Sequence, residues 1–229
     1  MTRALRQNFT VDVIVTSPPY NINKRYSLYD DNITREEYLN WINNVARKSI
    51  SILRDNGSYF LNKGRTLLDP LIPFEVLRVF LSAGYKLQNT IHWVKSISFE
   101  KDDIGKNTGF LHSLSVGHFK PITSHRFLTD VHEFIFHLTK SRRTPLDKLG
   151  IGVPYQDKTN IGRWKSASQD KRDRGNVWFI PYPTIQKKRL HPAVFPEKLP
   201  KLCLLLHSIR PNLIVYDGLH LPKCKICWD

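Results

Sequence analysis

Apolar positions along the chain come in short runs that alternate with segments of helical spacing. Asp12-Val-Ile-Val15 is β-branched and stops at Ser17-Pro18-Pro19, which reads as a buried strand ended by a rigid turn. Thr34 and Glu37 have the spacing of a capping box, with the hydroxyl at the cap and the carboxylate three residues on. Tyr38, Ile42, Val45, Ala46, Ser49, Ile50 and Leu53 follow at helical intervals, and Asp55-Asn56-Gly57 predicts the end of that helix. Ser58 to Asn62 predicts the next strand. Asp69-Pro70 opens a second helix through Phe74, Leu77 and Phe80, closed by Gly84, and Tyr85 to Lys95 alternates as a strand. Strand and helix in turn predict an α/β fold with a largely parallel sheet.

The pattern then changes. Ser96 to Asp130 has three glycines (Gly105, Gly109, Gly117) and little periodicity, and Val131 to Leu138 returns to strand character. Ser141 to Gly175 is polar and basic. Val177 to Ile180 reads as a short strand. Phe195 to Ser208 reads as a helix with Pro196 in its first turn, where proline costs least, and Leu213 to Tyr216 as a last strand ending at Asp217. The expected organisation is a main domain from 1–95 and 176–229. The segment 96–175 is an irregular basic insertion whose one strand, 131–138, returns to the sheet.

Composition narrows the partner. The chain has 229 residues, which suits one domain or a domain with an insertion. Its 41% hydrophobic and 11% aromatic content excludes a disordered chain. Lys plus Arg number 35 against 20 Asp plus Glu, a net +15, so a polyanionic partner is expected, with nucleic acid ahead of an anionic membrane. No apolar run approaches the roughly 20 residues a bilayer span needs, and the first ten residues carry no export-type apolar region. Three cysteines are too few and too odd for a disulfide framework, so a cytoplasmic location is expected.

The sharpest chemistry lies in Thr16-Ser17-Pro18-Pro19-Tyr20-Asn21, directly after the first strand. Loops at the carboxyl ends of parallel strands hold α/β ligand sites. Two prolines remove two N–H donors, so exposed carbonyls and the Ser17 hydroxyl are left to accept hydrogen bonds from a planar amino group. Tyr20 offers a face for stacking a base. A Pro-Pro turn with a packing tyrosine would show the same four residues. The basic residues Arg142, Arg143, Arg163, Lys165, Arg172 and Arg174 are placed to track phosphates, although a solvated basic loop has the same composition. Cys224-Lys-Ile-Cys227 is half a zinc knuckle without a second pair, and the histidines lack ligand spacing, so no metal site is expected.

A second block, His191-Pro192-Ala-Val-Phe195-Pro196-Glu197-Lys-Leu199, opens a helix that leads to the strand ending in Asp217. With both blocks in view the chain resembles the DNA amino-methyltransferases, and within them the β-order class, in which the catalytic tetrapeptide precedes the cofactor block. Ser17-Pro18-Pro19-Tyr20 is similar to the form common in cytosine-N4 enzymes. The resemblance runs from about residue 11 to 217. It implies a Rossmann-like S-adenosylmethionine-dependent methyltransferase sheet and transfer of a methyl group to the exocyclic nitrogen of a base flipped out of duplex DNA. Cofactor contacts are implied at His191, Pro192, Phe195, Pro196, Glu197 and Asp217, and target recognition within 96–175.

After Asp217 the chain departs from the family pattern. The family expects Asp-Pro-Phe and a glycine-containing loop, and this chain reads Asp217-Gly-Leu-His-Leu-Pro222. A truncation, a frameshift or a split enzyme completed by a C-terminal polypeptide would give that departure, and each predicts weak cofactor binding by this chain alone. The sequence therefore carries several readings. They are a cytosine-N4 DNA methyltransferase of a restriction–modification system, with a cognate endonuclease as partner; an adenine-N6 enzyme; an inactive DNA-binding remnant; and an RNA-directed methyltransferase with the same tetrapeptide.

Overall fold

The computed structural model describes residues 10–23, 31–104, 111–117, 124–163, 169–181, 195–208 and 215–216. Strand β1, Val11–Thr16, is buried at all six positions, which is why its sequence reads as a run and not as an alternation. Helix α1, Arg35–Ile52, starts from the capping box on Thr34, with both reciprocal bonds formed, and buries Tyr38, Ile42, Ala46, Ser49 and Ile52. Strand β2, Leu53–Lys63, follows without a loop. The expected helix end at Asp55-Asn56-Gly57 is thus corrected. Those residues bulge out of β2, since Val11 pairs with Leu53 and Val13 already pairs with Ser58. Arg54 to Asn56 point to solvent, so the polar triplet marks a strand irregularity.

Helix α2, Ile72–Ser82, begins after the predicted Asp69-Pro70, because the Asp69 amide is turned back onto Thr66. It leads through Gly84, at φ +106°, to β3, Lys86–Val94. Strands β4, Ser96–Phe99, and β5, Leu114–Gly117, make an antiparallel hairpin where no strand was expected. Each is four residues long, too short to show a period. Strand β6 is His132–Thr139, β7 is Val177–Phe179, helix α3 is Lys198–His207, and β8 is Val215–Tyr216. Pro196 lies before α3, not in its first turn, and Glu197 is the cap.

The main sheet has the order β7-β3-β6-β2-β1-β8. Pairs β1/β2, β1/β8 and β3/β7 are parallel, but β6 is antiparallel to both β2 and β3. The sheet is largely parallel, as expected, and the sequence pattern does not foresee this one reversal. Its cause is local: the hairpin leaves and returns at the carboxyl end of β3, where the Lys95 amide bonds the Val131 carbonyl at 2.7 Å. The chain enters β6 from that end, and among the described residues no α-helix lies between β3 and β6 to carry it back.

One face of the sheet packs under α1 and α2 through Ile14, Tyr38, Ile42, Tyr59, Phe80 and Phe136. The other packs under α3 through Val13, Phe60, Trp93, Ile135, Trp178 and Leu202. Part of the supposed insertion belongs to this core. Ile151 is buried in it, the Thr144 hydroxyl bonds the Gly57 carbonyl, and the Asp147 amide bonds the Leu206 carbonyl. A buried polar chain closes α3 on the sheet: Asn89 to His137 at 3.0 Å, His137 to Ser58 at 2.9 Å and Ser58 to His207 at 2.9 Å. Burial pushes His137 down to about 3, so it packs as a neutral ring, stacked on Phe60. These contacts put the C-terminus of α3 at the amino ends of the parallel strands. Its N-terminus therefore lies at their carboxyl ends. Among the described residues, no helix is long and apolar enough to cross a membrane.

Candidate active site

Ser17 to Tyr20 leave β1 at the carboxyl end of the sheet, with β2 on one side and β8 on the other. The loop is fastened from behind. Asn21 and Asn23 both sit at φ 57°, the left-handed region that asparagine tolerates better than most residues. Buried Asp31 accepts the Asn21 and Ile22 amides at 2.9 and 3.1 Å. The Asn21 side chain bonds Ile33 in both directions, at 2.7 and 3.0 Å. Tyr38 of α1 donates its hydroxyl to the Pro19 carbonyl at 2.8 Å and accepts from the Lys63 amine at 2.8 Å. Pro18 is buried, and Ser17, Pro19 and Tyr20 are half-buried. Among the described residues, the buried Thr16 hydroxyl has no hydrogen-bond partner.

Tyr20 is half-buried and tied to the sheet. Its hydroxyl donates to Glu133 Oε2 at 2.8 Å and accepts from Ser17 Oγ at 3.3 Å. Glu133 also accepts from Asn62 Nδ2 and from the Lys95 amine, each at 3.1 Å. Burial, then the charge of Glu133, raises the Tyr20 phenol well above its ordinary range, so it remains a hydroxyl. The Lys63 amine stands 4.1 Å from the centre of the Tyr20 ring and covers one face. A Cβ on Gly64 would meet the Tyr20 ring at 2.9 Å and Glu133 at 3.1 Å, so only glycine lets the end of β2 pass this close.

Lys63 has no exposed surface. Burial lowers its amine to about 7, against the opposing pull of Asp31, Asp69 and Glu133. The unfolded amine titrates near 10.5. Between those values the unfolded chain holds a proton that the folded one lacks, so stability rises with pH through that window, by up to about 1.4 kcal/mol per unit. Urea midpoints at pH 7 and pH 9 are expected to rise in the wild-type chain and to rise less in Lys63→Met. Parallel changes in the two proteins would remove Lys63 as the cause.

The remaining expected residues divide by the end of the sheet they occupy. Phe195, Pro196 and Glu197 stand at the entrance of α3, on the same end as the tetrapeptide. Phe195 is half-buried against the second core and Glu197 is exposed. Arg142 and Arg143 lie beyond the far end of β6. Six residues of strand, about 20 Å, separate Glu133 beside Tyr20 from Thr139. Arg174 Nε is bound to the Ile151 carbonyl at 2.8 Å, and Arg172 sits in the bridge to Val153. Neither Arg142 nor Arg143 is brought to the loop, and Arg174 is partly a packing residue. Arg163 is exposed in a turn. His191, Pro192, Lys165, Asp217 and the Cys224–Cys227 pair lie outside the described residues. Among the described residues, no group of three or more potential metal ligands occurs.

Glu133 and Lys63 are site residues that sequence reasoning missed. The available signal was a charge inside or directly after an apolar strand, where unpaired charges are seldom buried.

The DNA methylase family profile covers residues 11–218, nearly the whole chain. The chain belongs to this DNA methylase family. Type II methyltransferase M.BglII of Bacillus subtilis is 27% identical over 220 residues, which cover 91% of this chain and 54% of the relative. Type II methyltransferase M.MjaVI of Methanocaldococcus jannaschii is 37% identical over 90 residues, 38% of this chain and 46% of the relative. The PvuII DNA methyltransferase, a cytosine-N4-specific enzyme, superposes with a TM-score of 0.60 at 18% identity, over 92% of this chain and 69% of that one. The methylase chain spans about half the length of the curated relatives it matches. Its sheet is the α/β methyltransferase fold.

Proposed function

We propose that the chain carries the catalytic loop of an S-adenosylmethionine-dependent DNA methyltransferase acting on the exocyclic N4 of cytosine, as part of a restriction–modification system. The observation that carries this reading is the Ser17-Pro18-Pro19-Tyr20 loop, rigidly held at the carboxyl end of β1, on the end of the sheet where α3 begins. Serine at the head of the tetrapeptide favours cytosine over the runner-up target, adenine N6.

The chemistry follows from the loop. An exocyclic amine is a poor nucleophile because its lone pair is delocalised into the ring. Ser17 Oγ and the Pro18 carbonyl accept its hydrogens and favour a pyramidal nitrogen. The Pro19 carbonyl is already committed to Tyr38, so Pro18 supplies the carbonyl acceptor. The face of Tyr20 away from Lys63 stacks the flipped base and holds it in line for transfer. S-adenosylmethionine, when bound, supplies an electrophilic methyl group on a sulfonium. Phe195 offers an apolar surface and Glu197 a carboxylate, a donor set that fits an adenosyl group and its hydroxyls. His191, Pro192 and Asp217 complete that set in this reading.

The β4–β5 hairpin and residues 124–130 lie at the site end of the sheet and are assigned to target recognition. Arg126 in this segment is exposed, its guanidinium 5.5 Å from the Phe127 ring centre. Arg126→Ala is expected to lower the salt slope of duplex DNA binding by about 0.9, one phosphate contact, while Arg142→Ala/Arg143→Ala leaves it unchanged. The opposite result would place the DNA on the far end of the sheet.

The test of the function is base-resolved sequencing of DNA from cells expressing the 229-residue chain. N4-methylcytosine within one short sequence is the expected product, at the low level that the departure after Asp217 implies. N6-methyladenine would replace the reading by its runner-up, and DNA without any modified base would reject it.

A further inference from the structure

We propose that Glu133 is a positioning residue. It fixes the direction of hydrogen bonding through Tyr20 and Ser17, so that the loop presents acceptors to the target base and admits an amino group in preference to a carbonyl oxygen. This rests on the reading of the loop as an amino-methylating site and adds to it the origin of its selectivity.

A hydroxyl both donates and accepts, so Ser17 alone does not distinguish an amine from a keto oxygen. Its polarity has to be set by what stands behind it. Behind it the structure shows a one-way chain. A carboxylate only accepts, and Glu133 is supplied with donors: the Lys95 amine on Oε1, and Asn62 Nδ2 and the Tyr20 hydroxyl on Oε2. Asn62 is itself oriented, because Nδ2 also donates to the Phe134 carbonyl at 3.2 Å. Its Oδ1 therefore faces Tyr20, at 3.5 Å, as a second acceptor. The Tyr20 proton is thus directed inward, and its oxygen is left to accept from Ser17 Oγ. The Ser17 proton points inward in turn, and its lone pairs face out. Pro18 and Pro19 have no N–H to offer. Through the Ser17 hydroxyl and the proline carbonyls the loop therefore meets the target with acceptors.

An exocyclic amine brings donors and is matched. A keto oxygen in the same place would set lone pair against lone pair and leave buried acceptors unpaired, a mismatch that binding sites reject strongly. The packing at Gly64 is an independent sign that the arrangement is built. The backbone at the end of β2 touches both Tyr20 and Glu133, so the ring and the carboxylate are pressed into one geometry.

Glu133→Gln replaces an acceptor-only group by one that carries both an acceptor and a donor, so the direction of the chain is no longer fixed. In the full chain, kcat on the cytosine duplex is expected to fall at least about tenfold, with KM for S-adenosylmethionine within about twofold, and Glu133→Asp is expected to recover part of the rate. Binding to a duplex with uracil in place of the target cytosine supplies the readout that a merely structural role would not move. The wild-type chain prefers cytosine by at least about tenfold, and Glu133→Gln narrows that ratio. Loss of rate with an unchanged cytosine-to-uracil ratio would overturn the proposal, as would an unaltered rate. Absence of methylation by the wild-type chain would count against the proposed function instead. The hydrogen-bond chain is then judged by carbon-13 NMR of ring-labelled tyrosine: the Tyr20 phenol is expected to ionise at lower pH in Glu133→Gln than in the wild type, and coincident titrations would overturn it. Gly64→Ala, which deletes no polar group, is expected to narrow the cytosine-to-uracil ratio in the same way.

Discussion

Ser17→Ala is expected to lower methylation about 100-fold while leaving the fold intact, and Tyr20→Ala to lower it further. Ser17 is half-buried, and its hydroxyl makes one long bond, 3.3 Å to Tyr20, so its removal costs little stability. What is lost is an acceptor aimed at the reacting amine, an interaction that matters most as the nitrogen becomes pyramidal. The effect belongs in kcat more than in KM. Tyr20→Ala differs in kind. It removes the stacking face, but it also strips a partner from Glu133 and uncovers the Lys63 amine. Some destabilisation accompanies it, and Tyr20→Phe separates the two effects, since it keeps the ring and loses only the hydroxyl. Single-turnover rates with duplex DNA, beside urea midpoints for each variant, check this. A wild-type rate in Ser17→Ala would remove the loop from the mechanism.

The sequence was informative where structure is local. The Thr34–Glu37 cap and the β1 run are each read from a few neighbouring residues, and each is found in place. It was less informative where a neighbour in space decides. Leu53 belongs to β2 because it pairs with Val11, and no local signal carries that pairing across the bulged Asp55-Asn56-Gly57. Strand β6 runs backwards because of a hairpin whose two strands are too short to show a period. The same holds for the site. Glu133 reaches Tyr20 only because β6 lies beside β2, whose Asn62 and Gly64 border the ring. Lys63 reaches the loop through Tyr38, a residue whose spacing marks it as one more apolar position on α1. The basic residues are a related case. Charge density along 141–175 is a property of sequence, whereas Arg142 and Arg143 are carried to the far end of the sheet by the length of β6.

Trp93→Ala is expected to cost about 3–5 kcal/mol, a large part of the roughly 5–15 kcal/mol that keeps an ordinary domain folded. Trp93 has no exposed surface and is among the largest fully buried side chains described. It lies opposite Trp178 across β3 and β7, and both pack with Ile135 and Phe60 beneath α3. Its indole nitrogen donates to the Ile180 carbonyl at 2.8 Å, a bond that ties the chain after β7 to the sheet. Alanine would leave a cavity too enclosed to collapse and a carbonyl without its donor, and the two costs add. Strand β7 has only three residues and stands at the edge of the sheet, paired with β3 among the described strands. The loss should therefore appear first in β7 and then globally. Hydrogen exchange of the Phe179 and Ile180 amides, with the urea midpoint, follows both stages. A variant that keeps both within about 1 kcal/mol of the wild type would show that β7 is anchored by something other than this tryptophan.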